Sequence, residues 1–377
     1  MARGICAEFR YSPPPQMSDL VTASIDRLKP YQGGKPIEEL AREKGLVDIV
    51  KLASNENPLG PSPLAIEAAT RALANVHRYP DGVAHRLRSA VAEFHRVDAS
   101  EVVHGNGSNE LLELLVRTFT TPQHHVVFGT PGFSMYPVIT GAHGVPHTAV
   151  PTTPDRVHDL DAILAALRPE TRVVILDNPN NPTGTYVAEQ PLVAFLRAVP
   201  AEVIVVLDEA YFEFADASDY PDGLRLRQEH ERLVVLRTFS KAYGLAGFRV
   251  GYGIGSARLM DYVNRLRAPF NVSVPSQEAG IAALGDLEHL SRSVANNTAE
   301  RQFLTAGLAP LSRRIYPSQT NFILADFDQP SGELYEKLLD RGVIVRPIPG
   351  LSQSLRVSVG TRAENEKFLA ALAEVCA

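Results

Sequence analysis

Three segments of the chain, VVILDNPNNPTG (residues 173–184), VIVVLDEAY (residues 203–211) and LVVLRTFSK (residues 233–241), share one pattern: an apolar run followed directly by polar residues. Each run is apolar at consecutive positions, which is typical of a strand buried on both faces of a parallel sheet. Helical patterns such as residues 188–198 separate the runs. We therefore expect an α/β fold whose large domain has a mostly parallel sheet flanked by helices.

The same alternation extends towards the N-terminus. It begins near Ser62, where a serine followed by Pro63 is typical of a helix N-terminus. Further apolar runs at 102–103 and 126–128 predict two more strands.

The residues after about Phe270 predict a second, smaller α+β domain. Its elements are, in order, a long helical stretch over residues 276–308, a strand at 321–325, a helix beginning at Ser331, strands at 343–346 and 355–359, and a final helix. Residues 49–52 predict a strand outside the alternating pattern, and we expect it to pack with this domain. The predicted division is an N-terminal arm (1–30), a large domain (61–270) and a small domain (31–60 and 271–377).

Length and charge restrict the class of protein. A chain of 377 residues favours a large domain plus a smaller one. A net charge of −6 without a block of Lys or Arg argues against a nucleic acid partner. No apolar run approaches the roughly 18 residues that a membrane span needs, and residues 1–16 lack the apolar stretch of a secretory signal. We therefore expect a cytosolic protein that has no membrane partner.

The cysteines and histidines give no sign of a disulfide or a metal site. Cys6 and Cys376 are expected to be free thiols without a catalytic role. The 11 histidines are scattered, and the adjacent pair His124 and His125 precedes a predicted strand, which would point them to opposite faces. We expect no metal.

Polar residues at the ends of the three apolar runs indicate a site. Ligands of open α/β sheets bind beyond the carboxyl ends of the strands. Asn181, Asp208 and Lys241 each follow one of the runs, so an amide, a carboxylate and an amine should meet in one crevice. Each residue alone is a weak signal, since Asn-Pro-Thr-Gly is a turn in most proteins. Together, and in this order, they indicate an active site.

These residues and several longer stretches resemble a known family. Residues 181–184 (NPTG), 208–211 (DEAY) and Ser240-Lys241 with Arg249 resemble the fold-type I aminotransferases. The stretches KLASNENP (51–58), RYPD (78–81), GNGSNE (105–110) and TFSKAYGLAG (238–247) resemble the histidinol-phosphate aminotransferases. The resemblance covers the chain from about Pro30 to the C-terminus. It implies a transaminase that carries pyridoxal 5′-phosphate as a Schiff base on Lys241, with the large domain binding the cofactor.

The resemblance also implies a role for each residue that would hold the cofactor ring. Asp208 would pair with the pyridine nitrogen, which must be protonated for the ring to act as an electron sink. Asn181 and Tyr211 would hydrogen-bond the phenolic oxygen of the ring, and Phe133 would stack on its face, where many relatives have Tyr. Lys241, Asp208 and Tyr211 are the implied catalytic residues.

The phosphate of the cofactor requires amide, hydroxyl and cationic donors. The implied donors are Ser108 and Asn109 at a predicted helix N-terminus, together with Ser240 and Arg249. Tyr79 would reach the phosphate of the neighbouring subunit, so the resemblance implies a homodimer. Lys241 would shuttle a proton after the substrate displaces it, which requires a lowered pKa.

The substrate is expected to bind through cationic and polar residues near the cofactor. By resemblance, Arg356 and Arg346 would contact a substrate phosphate, and Tyr31 and Asn55 would face the substrate. The predicted reaction is transamination of L-histidinol phosphate with 2-oxoglutarate, which belongs to histidine biosynthesis. An aromatic amino acid aminotransferase with the same mechanism is the main alternative, because one apolar contact discriminates by only about 1–3 kcal/mol.

Three further alternatives stand behind these two. A phosphothreonine decarboxylase of similar sequence would release carbon dioxide without needing a keto acid. A pseudoenzyme would bind the cofactor without turnover, although the intact Lys241, Asp208 and Asn181 argue against it. A nicotinamide-linked dehydrogenase is rejected, because residues 251–255 are the only glycine cluster that suggests one and they lack the required spacing.

Overall fold

The computed structural model describes residues 20–28 and 33–376. Most of the predicted arm (1–30) therefore lies outside the described residues, as do Cys6 and Tyr31. Within the described part of the chain, no helix is both long enough and apolar enough to cross a membrane.

The strands and helices follow the alternation expected from the sequence. The strands are β1 (Val50–Lys51), β2 (Val102–Gly105), β3 (His125–Thr130), β4 (His147–Pro151), β5 (Thr171–Asp177), β6 (Ile204–Asp208), β7 (Leu233–Thr238), β8 (Gly251–Ile254), β9 (Arg314–Ile315), β10 (Phe322–Asp326), β11 (Val343–Ile344), β12 (Arg346–Ile348) and β13 (Leu351–Ser358). The helices are α1 (Ala23–Asp26), α2 (Ile37–Lys44), α3 (Pro63–Ala72), α4 (His85–His95), α5 (Ser108–Phe119), α6 (Met135–Ala142), α7 (Leu160–Ala165), α8 (Glu189–Ala198), α9 (Gly223–Leu226), α10 (Ala257–Leu266), α11 (Val274–Gly285), α12 (Leu287–Leu308), α13 (Ser331–Leu339) and α14 (Arg362–Cys376).

A seven-stranded sheet of order β2-β8-β7-β6-β5-β3-β4 forms the core of the large domain. The three apolar runs quoted above are β5, β6 and β7, which lie side by side and parallel. Every residue of β6 and β7 is buried, because helices cover both faces of the sheet. The expected mostly parallel α/β sheet is confirmed.

Strand β8 is the antiparallel member of this sheet and was not predicted. It pairs with β2 on one side and with β7 on the other. Its glycines allow a close approach of other elements: a Cβ at Gly251 would lie 2.6 Å from the backbone nitrogen of Ser108. The glycine cluster at 251–255 therefore lets β8 pass directly against the N-terminus of α5.

The long helical stretch expected over 276–308 is two helices, α11 and α12, separated at Asp286. The Asp286 carboxylate accepts a hydrogen bond from the His289 backbone and so caps α12, and it also accepts one from the Ser62 hydroxyl at 2.6 Å. Helix α11 packs against α3 and α4 and contributes Ala279 and Ala283 to the core of the seven-stranded sheet. The division at residues 270/271 stays a prediction.

The remaining strands form two smaller sheets around a separate core. Strands β12-β13-β10-β9 form an antiparallel sheet, and β1 pairs in parallel with β11 through Val50 and Val343. Helices α12, α13 and α14 pack on these strands, with Leu338 and Phe368 fully buried between them. This arrangement places Arg356, on β13, next to the carboxyl ends of the large sheet.

Candidate active site

A cavity of about 830 Å³ lies at the carboxyl ends of β5, β6 and β7. Twelve of the residues predicted for the site line it: Asn55, Ser108, Asn109, Phe133, Asn181, Asp208, Tyr211, Ser240, Lys241, Arg249, Arg346 and Arg356. Asp208 lies on the large sheet and Arg346 and Arg356 lie on the smaller four-stranded sheet, whereas the others lie on α5 or in loops. The folded chain thus brings together residues as far apart in the sequence as Asn55 and Arg356.

The amine of Lys241 lies in this cavity with a pKa lowered to about 8. Burial is the main cause, and the positive charge of Arg356 is the second. The amine donates a hydrogen bond to the carbonyl oxygen of Ser54 at 3.2 Å and lies 5.7 Å from the centre of the Tyr211 ring. At pH 7 roughly one amine in ten is therefore unprotonated, a far larger share than for an ordinary lysine, and the neutral form is the nucleophile.

Asp208 ends β6 and is 4% exposed. Burial, followed by the negative charge of Asp177, raises the pKa of Asp208 to about 7. The Tyr136 hydroxyl donates to Oδ2 at 3.4 Å, whereas Oδ1 has no hydrogen-bond partner among the described residues. A buried carboxylate with an unused acceptor atom on a cavity wall fits a cationic N–H donor, such as a protonated pyridine nitrogen.

An anion-binding cradle lies at the N-terminus of α5. Gly107 precedes the helix with φ of 76°, and a Cβ there would lie 2.4 Å from Nη2 of Arg249. The other guanidinium nitrogen of Arg249 donates to Oγ of Ser240 at 3.4 Å. The first backbone N–H groups of a helix, a hydroxyl and a guanidinium in one place are the donors that a phosphate needs. The cavity therefore fits both ends of pyridoxal phosphate.

Tyr211 and Asn55 form a hydrogen-bonded pair across the domain junction. The Asn55 side-chain amide donates to the Tyr211 hydroxyl at 2.9 Å, and Ser358 of β13 donates to Oδ1 of Asn55. Burial raises the pKa of Tyr211 to about 12, so its hydroxyl stays protonated and able to donate. Phe133 also lines the cavity, with its ring edge-on to Tyr136 at 5.7 Å.

Two arginines of the four-stranded sheet also line the cavity. Arg356 donates to Oδ1 of Asn181 at 2.6 Å and to the carbonyl oxygen of Ala53 at 2.7 Å. Arg346 donates to the carbonyl oxygen of Gly33 at 2.8 Å. Because both guanidinium groups share the cavity with Lys241, a substrate anion would bind beside the reacting amine.

Among the described residues predicted for the site, Tyr79 does not line this cavity in the single chain. Tyr79 is 81% exposed, and its ring stacks on Phe270 with centroids 4.7 Å apart. Tyr31 lies outside the described residues.

Sequence reasoning missed the roles of Asp177 and His158. The Asp177 carboxylate lines the cavity, and it accepts a hydrogen bond from Nε2 of the buried His158 at 2.9 Å. A signal for Asp177 was present, because it follows the run ending at Leu176 just as Asp208 follows Leu207. His158 follows none of the predicted apolar runs directly and carries no such signal.

No described group of three or more His, Cys, Asp or Glu side chains is arranged to hold a metal ion. His125 hydrogen-bonds through its two ring nitrogens to the hydroxyls of Thr171 and Thr148.

The fold and the site define the class of the protein. A lysine with a lowered pKa, a buried aspartate and a phosphate cradle in one cavity are the features of an enzyme that uses pyridoxal phosphate. The family model "Aminotransferase class I and II" matches residues 47–372. The chain therefore belongs to the class I and II aminotransferases, and its cofactor is pyridoxal 5′-phosphate.

The chain is similar to curated enzymes over nearly its full length. It is 50% identical to a histidinol-phosphate aminotransferase of Anaeromyxobacter sp. (strain Fw109-5), over 94% of this chain and 99% of the relative. It is 49% identical to that of Akkermansia muciniphila, over 92% and 95%. The crystal structure of histidinol-phosphate aminotransferase from Sinorhizobium meliloti in complex with pyridoxal 5′-phosphate is 30% identical, has a TM-score of 0.87, and covers 94% of this chain and 97% of that one. The resemblance, the fold class and the enzyme class predicted from the sequence are confirmed.

Proposed function

We propose that this enzyme transfers an amino group reversibly between L-histidinol phosphate and 2-oxoglutarate, giving imidazole-acetol phosphate and L-glutamate in histidine biosynthesis. The observation that carries the proposal is the pair of guanidinium groups, on Arg346 and Arg356, in the same cavity as the amine of Lys241. A substrate phosphate carries more charge than a carboxylate, and two planar guanidinium groups suit it. The curated relatives with this activity support the same choice.

Lys241 is the proposed proton carrier. Bound pyridoxal phosphate supplies an electron sink that stabilises negative charge at the substrate carbon. With a pKa of about 8, Nζ of Lys241 can accept the proton from that carbon and then donate it elsewhere without leaving the cavity. The charge of Arg356 contributes to the lowered pKa, so the residue that would bind substrate also tunes the base.

The cofactor ring is proposed to lie against residues of the three strand ends. Oδ1 of Asp208 would accept a hydrogen bond from the pyridine nitrogen, which would satisfy a buried atom that no described residue pairs with. The side chains of Asn181 and Tyr211 would hydrogen-bond the phenolic oxygen, and Phe133 would stack on the ring. In this role Tyr211 acts as a donor, because its pKa of about 12 keeps the proton on the hydroxyl.

The phosphate of the cofactor is proposed to bind in the cradle at the start of α5. Ser108, Asn109 and Ser240 would supply neutral donors, and Arg249 would supply the charge. Tyr31 and Asn55 are proposed to face the substrate.

A homodimer is part of the proposal. Leu73, Val76 and Val83, close to Tyr79 in sequence, are each about half exposed or more, at 56%, 55% and 49%. Together with Tyr79 and Phe270 they supply apolar surface that a second subunit would cover. Tyr79 would then reach the phosphate of the neighbouring active site. The cytosolic location expected from the sequence remains a prediction.

The experiment that tests the function measures glutamate formed from 2-oxoglutarate, with L-histidinol phosphate or L-phenylalanine as donor. The expected result is a clearly higher kcat/KM with histidinol phosphate, and no glutamate with Lys241→Ala. Preference for phenylalanine would establish the aromatic aminotransferase instead. Release of carbon dioxide without a keto acid would identify a decarboxylase.

A further inference from the structure

Two aspartates stand side by side at the carboxyl end of the large sheet. Asp177 ends β5 and Asp208 ends β6, and the two are register partners. Both are buried, at 3% and 4% exposure, and both line the cavity. Burying two neighbouring carboxylates is costly, because each loses solvation and their negative charges repel. The two side chains differ in the hydrogen bonds that the chain gives them.

The two oxygens of Asp177 are fully engaged by the chain itself. Oδ1 accepts from Nε2 of His158 at 2.9 Å and from the side-chain amide of Asn180 at 3.1 Å. Oδ2 accepts from the backbone N–H of Asn181 at 3.0 Å. Asp208, in contrast, has one buried oxygen without a described partner. Asp208 can therefore accept a hydrogen bond from a ligand, whereas the oxygens of Asp177 are occupied by His158 and by the loop that follows β5.

His158 fits beside Asp177 because the neighbouring strand β3 has a glycine, Gly129, at the point of contact. It lies in the segment between β4 and α7 and is 5% exposed. A Cβ on Gly129 of β3 would lie 2.1 Å from Nδ1 of His158, so only glycine leaves room for this ring. Nδ1 is buried without a partner among the described residues, which favours the tautomer in which Nε2 carries the hydrogen and donates it to Asp177.

We propose that His158 and Asp177 form a positioning pair for Asn181. The imidazole fixes the carboxylate, the carboxylate fixes the backbone of Asn181 and the amide of Asn180, and the Asn181 side chain is thereby held on the cavity wall. Neither His158 nor Asp177 touches substrate in this arrangement. The inference rests on the proposed function for what Asn181 contacts, namely the cofactor ring.

The position of Asn181 matters because two other groups depend on it. Arg356 donates to its side-chain oxygen at 2.6 Å, so a displaced Asn181 also releases the guanidinium proposed to bind substrate. The charge of Asp177 acts in addition on Asp208, whose pKa it raises. A correctly placed Asn181 thus links the cofactor side of the cavity to the substrate side.

The test is a double-mutant cycle on the holoenzyme, using His158→Gln, Asp177→Asn, Asn181→Ala and the two double variants. The readouts are the absorption spectrum of the bound cofactor without substrate and the Kd for pyridoxal phosphate measured by equilibrium dialysis. If the pair acts through Asn181, each single variant shifts the absorption maximum and weakens binding roughly tenfold. In the Asn181→Ala background, the same substitutions should cause little further change in the absorption maximum or in the Kd.

The matched control is His125→Gln. His125 is, like His158, a buried histidine, but both of its ring nitrogens are hydrogen-bonded and it begins β3 at the end away from the cavity. Its substitution should leave the spectrum and the Kd unchanged, even if it lowers the melting temperature as much as His158→Gln does.

The inference is overturned if the effects of His158→Gln and Asn181→Ala simply add, or if His125→Gln gives the same spectral change. Should Asp177→Asn fail to fold, the cycle between His158 and Asn181 decides alone. Because the spectrum requires no substrate, the result stands apart from the proposed function. An enzyme inactive on histidinol phosphate that still shows the coupling would refute only that function.

Discussion

Nη1 of Arg356 lies 2.6 Å from Oδ1 of Asn181, and this hydrogen bond joins β13 of the smaller sheet to the loop after β5 of the large sheet. The same guanidinium is, after burial, the main cause of the lowered pKa of Lys241. One side chain therefore connects the two halves of the molecule and tunes the reacting amine. A substrate anion that draws Arg356 towards itself would affect both the hydrogen bond to Asn181 and the pKa of Lys241.

Replacing Arg356 by Gln should raise the pKa of Lys241 above about 8, because removing a nearby cation makes the protonated amine less unfavourable. Uptake of pyridoxal phosphate by the cofactor-free protein requires the neutral amine, so its rate should rise with pH at a higher midpoint in this variant. Arg314→Gln is the control, since Arg314 lies on β9, pairs with Asp155 and does not line the cavity. An unchanged midpoint in Arg356→Gln would contradict the assignment.

Lys241→Ala should lower transamination by at least about a thousandfold, because the amine acts both as the attachment point and as the proton carrier. Glutamate formation measures the loss of transamination. Borohydride reduction of the holoenzyme, followed by peptide mapping, tests the attachment point: the label should be on Lys241 in the native protein and absent from the variant. Labelling of another lysine in the native protein would refute the role.

Asp208→Asn should change how the stability of the cofactor-free protein depends on pH. Burial raises the pKa of Asp208 from 3.8 to about 7. At a pH between these two values, Asp208 is therefore protonated in the folded protein and ionised in the unfolded chain. Stability contributed by this group therefore falls as pH rises from about 4 to about 7. As pH rises through this window, the free energy of unfolding of Asp208→Asn should increase relative to that of the native protein, by at most roughly 4 kcal/mol. Urea unfolding at several pH values measures the difference, and a constant difference would contradict the raised pKa.

Gly107→Ala should weaken pyridoxal phosphate binding about tenfold or more, since the new Cβ would collide with the Arg249 guanidinium and alanine disfavours the positive φ. Gly247→Ala is the matched control, because a Cβ at Gly247 meets nothing within 4 Å. Equilibrium dialysis gives both dissociation constants. Equal affinities for the two variants would argue against the cradle.

Arg237→Met should destabilise the fold by about 3–5 kcal/mol, because it leaves Glu209 as a buried charge without its partner. Arg237 donates to Oε2 of Glu209 at 3.0 and 2.8 Å, and the two side chains are 4% and 0% exposed. Adding Glu209→Gln to Arg237→Met should recover part of the loss. Denaturant unfolding of the single and double variants tests this, and no recovery would show that the pair is not the cause.

The central strands were predictable because their physical requirement is local. A parallel strand covered on both faces must be apolar at consecutive residues, and β5, β6 and β7 satisfy this. The polar residues that follow each run fall at the carboxyl edge of the sheet, which is why Asp208 and Lys241 could be assigned to one crevice. Strand β8 escaped prediction because its glycines serve close packing against α5, a need that no local pattern expresses.

The sequence by itself determined the alternating fold, the family and most of the residues that meet in the cavity. It could do so because an apolar run and the polar residues after it are adjacent in the sequence and form a local signal. Only the tertiary structure decided that Oδ1 of Asp208 has no hydrogen-bond partner in the described part of the chain, while its register partner Asp177 accepts hydrogen bonds from His158 and Asn181. Those hydrogen bonds depend on distances between segments far apart in the chain. They exist only once the sheet has brought the segments together.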